Sequence, residues 1–354
     1  MNPHSIKPIA YYLPQFHQIP ENSEWWGEGF TEWTNVTAAK PNFEGHYQPH
    51  IPKHMGFYDL QNVSVMKKQT ELAKKYGIYG FCFHHYWFDG RKILELPINN
   101  YLASDIDFPF CLSWANENWT RAWDGANNDI LLAQNYSDDN DLAFINDCMA
   151  FFKDPRYIKV DNKPMLLVYR ADHLPDAKTT ARVWRDAAKA NGFDDLHLVA
   201  IRSTQTEYLD PLNAFGFDAA AEFPPHGYKF GRAETPIPVR TNPNYELSIL
   251  PDYNLCLERA KQIEHPSYEL YRGIMPSWDN TARKQNVATT FLNSSPEAYQ
   301  QWFEYLVDYS SQHLPPESRF IFINAWNEWA EGAHLEPDLK HELAYLEATY
   351  SALG

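Results

Sequence analysis

Ile78-Tyr79-Gly80-Phe81-Cys82-Phe83 is a short apolar run, and His84-His85-Tyr86-Trp87 follows it without a break. A β-prone hydrophobic segment, then a polar and aromatic cluster, then a helical pattern, is the signature of one βα unit. The same order returns at Pro8 to Leu13, Phe108 to Ser113, Met165 to Tyr169, Leu196 to Ile201, Phe217 to Phe223, Gly273 to Ser277 and Phe320 to Ala325, which makes eight units. Between them lie helix candidates at Leu60 to Tyr76, Asp141 to Phe152, Thr179 to Ala190, Leu255 to Glu264 and Pro296 to His313, several with apolar residues at three- and four-residue spacing. Eight strands alternating with helices predict an α/β fold, a single (β/α)8 TIM-type barrel occupying residues 1–354 as one catalytic domain. A doubly wound sheet is disfavoured because no Gly-x-Gly-x-x-Gly follows the first strand. Two long insertions, Pro14 to Asp59 after strand one and Pro224 to Tyr253 after strand six, should leave the C-terminal ends of their strands, where barrel active sites form.

The composition fits one globular core, with 44% hydrophobic and 21% charged residues, and no apolar run approaches the roughly 20 residues of a membrane helix. No secretory h-region is visible in Met1 to Ile9, so the expected compartment is the cytoplasm. Cys82, Cys111, Cys148 and Cys256 are widely separated, which indicates neither a disulfide framework nor a zinc site. A net charge of −16 would repel a phosphate backbone, so nucleic acid is not an expected partner and a neutral ligand suits better. The 12 Trp, 22 Tyr and 21 Phe supply flat apolar faces on which sugar rings can stack, although a Trp-rich core accounts for them equally well.

A barrel directs the residues just after each strand into one mouth. Those positions hold Gln15 and His17; His84, His85, Tyr86 and Trp87; Trp114, Asn116, Glu117 and Trp119; Tyr169, Arg170 and Asp172; Glu222 and His226; Trp278, Asp279 and Asn280; and Trp326, Asn327 and Glu328 through Glu331. Carboxylates and amides hydrogen-bond hydroxyls while aromatics stack under rings, so the inventory is that of a site for an oligosaccharide or polysaccharide. Singly, each of these residues is as well explained as a cap or a structural hydrogen bond. His84 and His85 face opposite ways on a strand, so only one of them can line the mouth, and His85 is taken as the candidate.

Glu328 and Glu331 are spaced i, i+3, which places both carboxyls on one face if a helical turn follows strand eight. Two carboxyls that close can hold one proton above its ordinary pKa while the other stays ionised, which gives an acid and a base at neutral pH. The alternative is an acidic pair favoured by a helix N-terminus. A retaining glycosidase keeps its carboxyls about 5–5.5 Å apart on opposite sides of the scissile bond. One short turn fits that layout poorly. It fits better if one carboxylate serves the sugar's own 2-hydroxyl and the other the leaving oxygen, atoms on neighbouring carbons. No metal or organic cofactor is expected, since no His-x-x-x-His spacing occurs and hydrolysis needs none.

The runs Tyr11-Tyr12-Leu13-Pro14-Gln15-Phe16-His17, Trp25-Trp26-Gly27-Glu28-Gly29-Phe30-Thr31-Glu32-Trp33, Trp114-Ala115-Asn116-Glu117-Asn118-Trp119 and Asn327-Glu328-Trp329-Ala330-Glu331-Gly332 together resemble the WbsX-type family over nearly the whole chain. Members of that family occur with bacterial polysaccharide genes, are often labelled glycosyltransferases, and are similar to glycoside hydrolase family 99, the endo-α-mannosidases. In family 99 a Glu-Trp-x-Glu segment after the last strand carries both catalytic carboxylates, and Glu328-Trp329-Ala330-Glu331 matches it. The resemblance implies that Glu328 deprotonates the 2-hydroxyl to form a 1,2-anhydro sugar and that Glu331 protonates the leaving oxygen and then activates water. An axial 2-hydroxyl, as in α-manno- or α-rhamno-configured sugars, is implied with it. The matching runs add Tyr12, Trp26, Glu32 and Trp33, together with Arg121 just beyond Trp119, to the candidate substrate contacts. Two other classes stay open. One is a glycosyltransferase of O-antigen or capsule assembly, against which Asp105-Ile106-Asp107 lies before a strand instead of after one; the other is a carbohydrate-binding barrel without turnover.

Overall fold

The computed structural model of the chain describes residues 6–120, 129–227, 238–246 and 250–354. Among them, eight parallel strands form the barrel: β1 (Lys7–Tyr12), β2 (Gly80–Phe88), β3 (Phe110–Trp114), β4 (Lys163–Val168), β5 (His197–Ile201), β6 (Ala219–Ala221), β7 (Glu269–Ile274) and β8 (Phe320–Ile323). Each pairs with the next, and β1 pairs with both β2 and β8, so the sheet closes on itself. Closure leaves no strand edge exposed and gathers every strand's C-terminal end at one rim. The near-continuous burial along each strand is what a sheet covered on both faces requires.

The described helices are α1 (Pro20–Trp26), α2 (Glu32–Ala38), α3 (Val63–Lys75), α4 (Leu96–Leu102), α5 (Asp138–Phe152), α6 (Ala177–Ala190), α7 (Pro211–Phe215), α8 (Leu255–Gln262), α9 (Thr281–Lys284), α10 (Pro296–His313) and α11 (Ala344–Ala352). In α10 the buried Tyr299, Trp302, Phe303, Leu306, Tyr309 and Ser310 recur every three or four residues, and the Ser295 hydroxyl accepts from the Ala298 amide to start the helix. The first insertion contains α1 and α2, and the described part of the second joins β6 to α8.

Strand alternation decides which side chains enter the barrel. Tyr11 of β1 is level with Cys82 of β2, and its ring meets His84 of β2, Phe322 of β8 and Phe223 just past β6, which marks the inward set. The neighbouring positions face out. Tyr12 donates to Gln69 of α3, and the Trp114 ring stacks on Phe144 of α5 at 4.3 Å and abuts Trp184 of α6. All four cysteines are buried free thiols. Among the described residues, no helix is long and apolar enough to cross a membrane.

Candidate active site

A pocket of about 230 Å3 opens at the C-terminal rim, lined by Leu13, Gln15, His84, Tyr86, Ala115, Glu117, Asn118, Trp119, Tyr169, Phe223, His226, Arg283, Glu328 and Glu331. Glu328 ends a two-residue ladder with Ala333, and Trp329–Glu331 form a single 3-10 turn. In a 3-10 turn residues i and i+3 eclipse, so both carboxyls are delivered to the same pocket wall. The turn closes on Gly332 at φ +60°, a left-handed conformation that suits glycine.

Arg283 of α9 organises the carboxylates. Its guanidinium donates to Glu331 at 2.7 Å, to Glu328 at 2.8 Å and to Glu32 of α2 at 3.0 and 3.2 Å. Three carboxylates against one guanidinium would leave two negative charges uncompensated if all were ionised. Burial, against the pull of Arg283, and then the neighbouring carboxylates raise the Glu328 pKa well above the ordinary carboxylate range. Burial also raises the Glu32 pKa, again against Arg283. Around them, Tyr86, Trp119, Tyr169 and Phe223 supply aromatic walls, Gln15 donates to the Tyr86 hydroxyl at 3.0 Å, and Glu117 pairs with Arg170 at 2.7 Å. Burial and the nearby guanidinium lower the His84 pKa to about 4, so that ring enters the pocket neutral.

A larger cavity, about 580 Å3, adjoins this pocket and shares His226 with it, extending past Arg202, Glu222, Arg259 and Tyr268.

Of the residues singled out in the sequence, Gln15, Tyr86, Glu117, Trp119, Tyr169, Glu328 and Glu331 line the pocket. Three more support it from behind. Glu32 holds Arg283, Asn116 bonds the Arg170 backbone through both amide atoms, and Asn327 bonds both backbone atoms of Leu13. The other placements need correction. His84, not His85, faces the pocket; His85 points outward between Phe144 and Phe151, 3.8 Å from Asp147. Tyr12, Trp87 and Trp114 belong to the outward set, with Trp87 donating to Asn140 of α5. Trp33 packs against Phe16, Tyr58 and Trp329, and Trp26 lies beside Phe30 at the end of α1. His17 is buried outside the pocket lining.

Glu222 accepts from Arg272 and from the Gly273 amide, clamping β6 to β7. Asp279 and Trp278 border a separate cavity, where Asp279 accepts from Gln48, Thr281 and Thr290 and from His46 at 2.6 Å. The His46 Nδ1 accepts from the Asn42 amide, so Nε2 carries the proton toward Asp279. Trp326 donates to Glu336, a carboxylate that also receives Tyr58, Gln69 and Trp329. Arg121 lies outside the described residues.

Arg283 had no motif to announce it, because its partners come from segments 45 to 251 residues away. Its one sequence signal was its place shortly after strand seven. In the last segment, His334 and Asp338 approach His50 of the first insertion.

The Glycosyltransferase WbsX family model matches residues 8–349. Two strains of Xanthomonas campestris pv. campestris carry proteins described as uncharacterized protein WxcX that are 44% identical to the chain over 351 residues, covering 98% of it and 49% of their own length. The chain thus spans about half the length of the curated relatives it matches. Among solved structures, the GH99 endo-alpha-mannosidase from Bacteroides thetaiotaomicron superposes with a TM-score of 0.59 at 14% identity, over 99% of this chain and 97% of that one. A glycoside hydrolase-like protein gives 0.58 at 15%, over 99% and 94%. At such identities the likeness is one of fold. The family match along almost the whole sequence and the 44% identity place the chain in the WbsX family, built on a barrel similar to that of the family 99 endo-α-mannosidases.

Proposed function

We propose that the chain is a retaining glycosidase acting on an α-manno- or α-rhamno-configured glycan through participation of the substrate's 2-hydroxyl. The observation that carries this reading is that Glu328 and Glu331 face one pocket and share Arg283. Glu328 removes the 2-hydroxyl proton as that oxygen attacks the anomeric carbon, and Glu331 gives its proton to the departing oxygen. The 1,2-anhydro sugar is then opened by water, with Glu331 as base and Glu328 returning the proton to the 2-oxygen. A raised Glu328 pKa strengthens the base whenever it is ionised, and Arg283 favours that ionised form. Trp119 and the tyrosines Tyr86 and Tyr169 suit the apolar faces of a ring, and the adjoining cavity suits further units of an oligosaccharide.

The test is turnover of α-mannosyl and α-rhamnosyl oligosaccharides by Glu328→Gln and Glu331→Gln, with binding followed calorimetrically. Each variant should lose about 10²–10⁴-fold in kcat while still binding. A 2-deoxy substrate should bind and remain intact. Unchanged turnover in both variants would sink the assignment.

The description of the matching family favours transfer as the second reading. It predicts a glycosidic product only when an activated nucleotide sugar is supplied, and no release of free sugar into water.

A further inference from the structure

Behind the catalytic turn, the first insertion meets the segment that follows β8, and three ligand-type side chains converge there. His50, His334 and Asp338 are all buried, and one donor atom from each lies within 4.8 Å of the other two. We propose that these residues form a structural site for a divalent first-row metal ion of the zinc type, which braces the catalytic turn without taking part in the chemistry.

The orientation of each donor supports this. His334 Nδ1 is 2.9 Å from the Glu336 carbonyl, which can only accept, so Nδ1 carries the proton. The Nε2 lone pair is thereby aimed at His50 Nδ1, 2.8 Å away, and at Asp338 Oδ2, 3.9 Å away. Asp338 is aimed as well: its Oδ1 accepts from the amides of Lys340 at 3.0 Å and His341 at 2.6 Å, leaving Oδ2 turned to the imidazole. A histidine fixed by a carbonyl and a carboxylate fixed by amides are the outer partners that metal-binding side chains have. Two imidazoles and one carboxylate match zinc and its neighbours in softness, and leave a fourth position for water. That position has an approach through a cavity of about 150 Å3, which these three residues help to line.

In the arrangement seen, His50 Nδ1–H donates to His334 Nε2. Two nitrogens on one tetrahedral ion, each about 2.0–2.1 Å from it, sit about 3.3 Å apart. Loading therefore needs a tautomer change in His50, a shift of about half an ångström between the rings, and a closer approach of Asp338 Oδ2, which stands 3.9 Å from His334 Nε2. Lys340, held over the Tyr47 ring, borders the same cavity and opposes a cation, while Asp338 and Asp279 offset it.

The His334 ring stacks on Trp329 with centroids 3.8 Å apart, and Trp329 stands between Glu328 and Glu331 in the chain. An ion here would tie residue 50 to residues 334–338 and hold that indole in place.

The purified chain of residues 1–354, free of any metal-affinity tag, should contain about one equivalent of metal by elemental analysis. Chelator dialysis should lower its melting temperature by several degrees, and one equivalent of Zn2+ should restore it. Co2+ added to the dialysed protein should give the visible d–d absorption of a four- or five-coordinate centre. His50→Gln and Asp338→Asn should each abolish the Zn2+ response and the cobalt spectrum while melting close to the chelated wild type. Substoichiometric metal with no cobalt spectrum in the wild type overturns the proposal. So does a Zn2+ shift equally large in His50→Gln. The cobalt and metal measurements need no variant, so a misfolded substitution does not shield the proposal.

Discussion

Arg283 is the side chain on which the site's electrostatics turn, because it offers the carboxylates of Glu32, Glu328 and Glu331 their shared cation in a buried setting. Replacing it by an apolar residue of similar length strands those carboxylates, and breaking a buried ion pair from one side costs about 3–5 kcal/mol. Arg283→Met is therefore expected to lower unfolding free energy by about that amount at pH 7.5, measured by denaturant titration. The sign of its pH dependence follows. Carboxyls whose folded pKa lies above the unfolded value give stability that is complete below the unfolded pKa and lost as pH rises. The variant should thus recover much of its deficit on acidification toward about pH 4.5, near the ordinary glutamate value. A deficit independent of pH would show that packing, not charge, is what Arg283 supplies. Glu336 is a different case: burial raises its pKa to about 7 despite four donors, and it holds Trp326 and Trp329 from below without reaching the pocket.

At the scale of elements, the 3-10 turn from Trp329 to Glu331 sets both carboxyls, and its exit is pinned from the opposite side by the Asp279 segment. The Asp279 amide donates to the Glu331 carbonyl at 2.7 Å, and the Ser277 hydroxyl bonds the Gly332 carbonyl. A Cβ on Gly332 would stand 3.0 Å from the Asp279 backbone nitrogen and Cβ, at a φ of +60° that alanine resists. Gly332→Ala should cost about 1–3 kcal/mol. Because the strain falls on the residue after Glu331, kcat should drop more than KM rises, as steady-state kinetics on a cleaved oligosaccharide would show. Equal stability and kinetics in the variant would mean that the turn is adaptable.

For the whole molecule, the buried histidines dominate the response to acid. Burial lowers the pKa of His84, His85 and His197 to about 4, against about 6.5 in an unfolded chain. A base with a depressed folded pKa contributes stability present above the unfolded value and lost as pH falls through the window from about 6.5 to 4. The raised carboxyls Glu32, Glu328 and Glu336 act in the opposite sense over part of that window, but they are outnumbered by the lowered histidines, which burial extends to His50, His226 and His334. Melting temperature should fall from pH 6.5 to pH 4.5. His197→Gln, which removes the ring bonded to Tyr271, should flatten that slope, as melts across the range would reveal. A further loss is expected below about pH 4. Although burial pushes the other way, hydrogen bonding to His46 and its neighbours holds Asp279 at about 2, and that stability goes as the carboxylate is protonated.

The order of apolar runs and helical patterns in the chain determined the barrel, since a sheet buried on both faces must be written as short hydrophobic strands with amphipathic helices between them. The pairing of Glu328 with Glu331 was equally legible, because three residues on one tight turn have few ways to be arranged. Facing was legible in kind but not in choice. Alternation requires His84 and His85 to diverge, yet only the closed barrel, with Tyr11 and Phe223 opposite His84, decides which of the two enters the pocket. For the same reason the tryptophans Trp87 and Trp114, which read as sugar platforms, are wedges between strand and helix. What tertiary structure alone decided is every partnership between distant segments: Arg283 with Glu32, Glu222 with Arg272, Asp279 with His46, and His50 with His334. Local spacing constrains only neighbours in the chain, whereas a barrel rim collects residues from eight separate loops, and their meeting is fixed by strand register and closure.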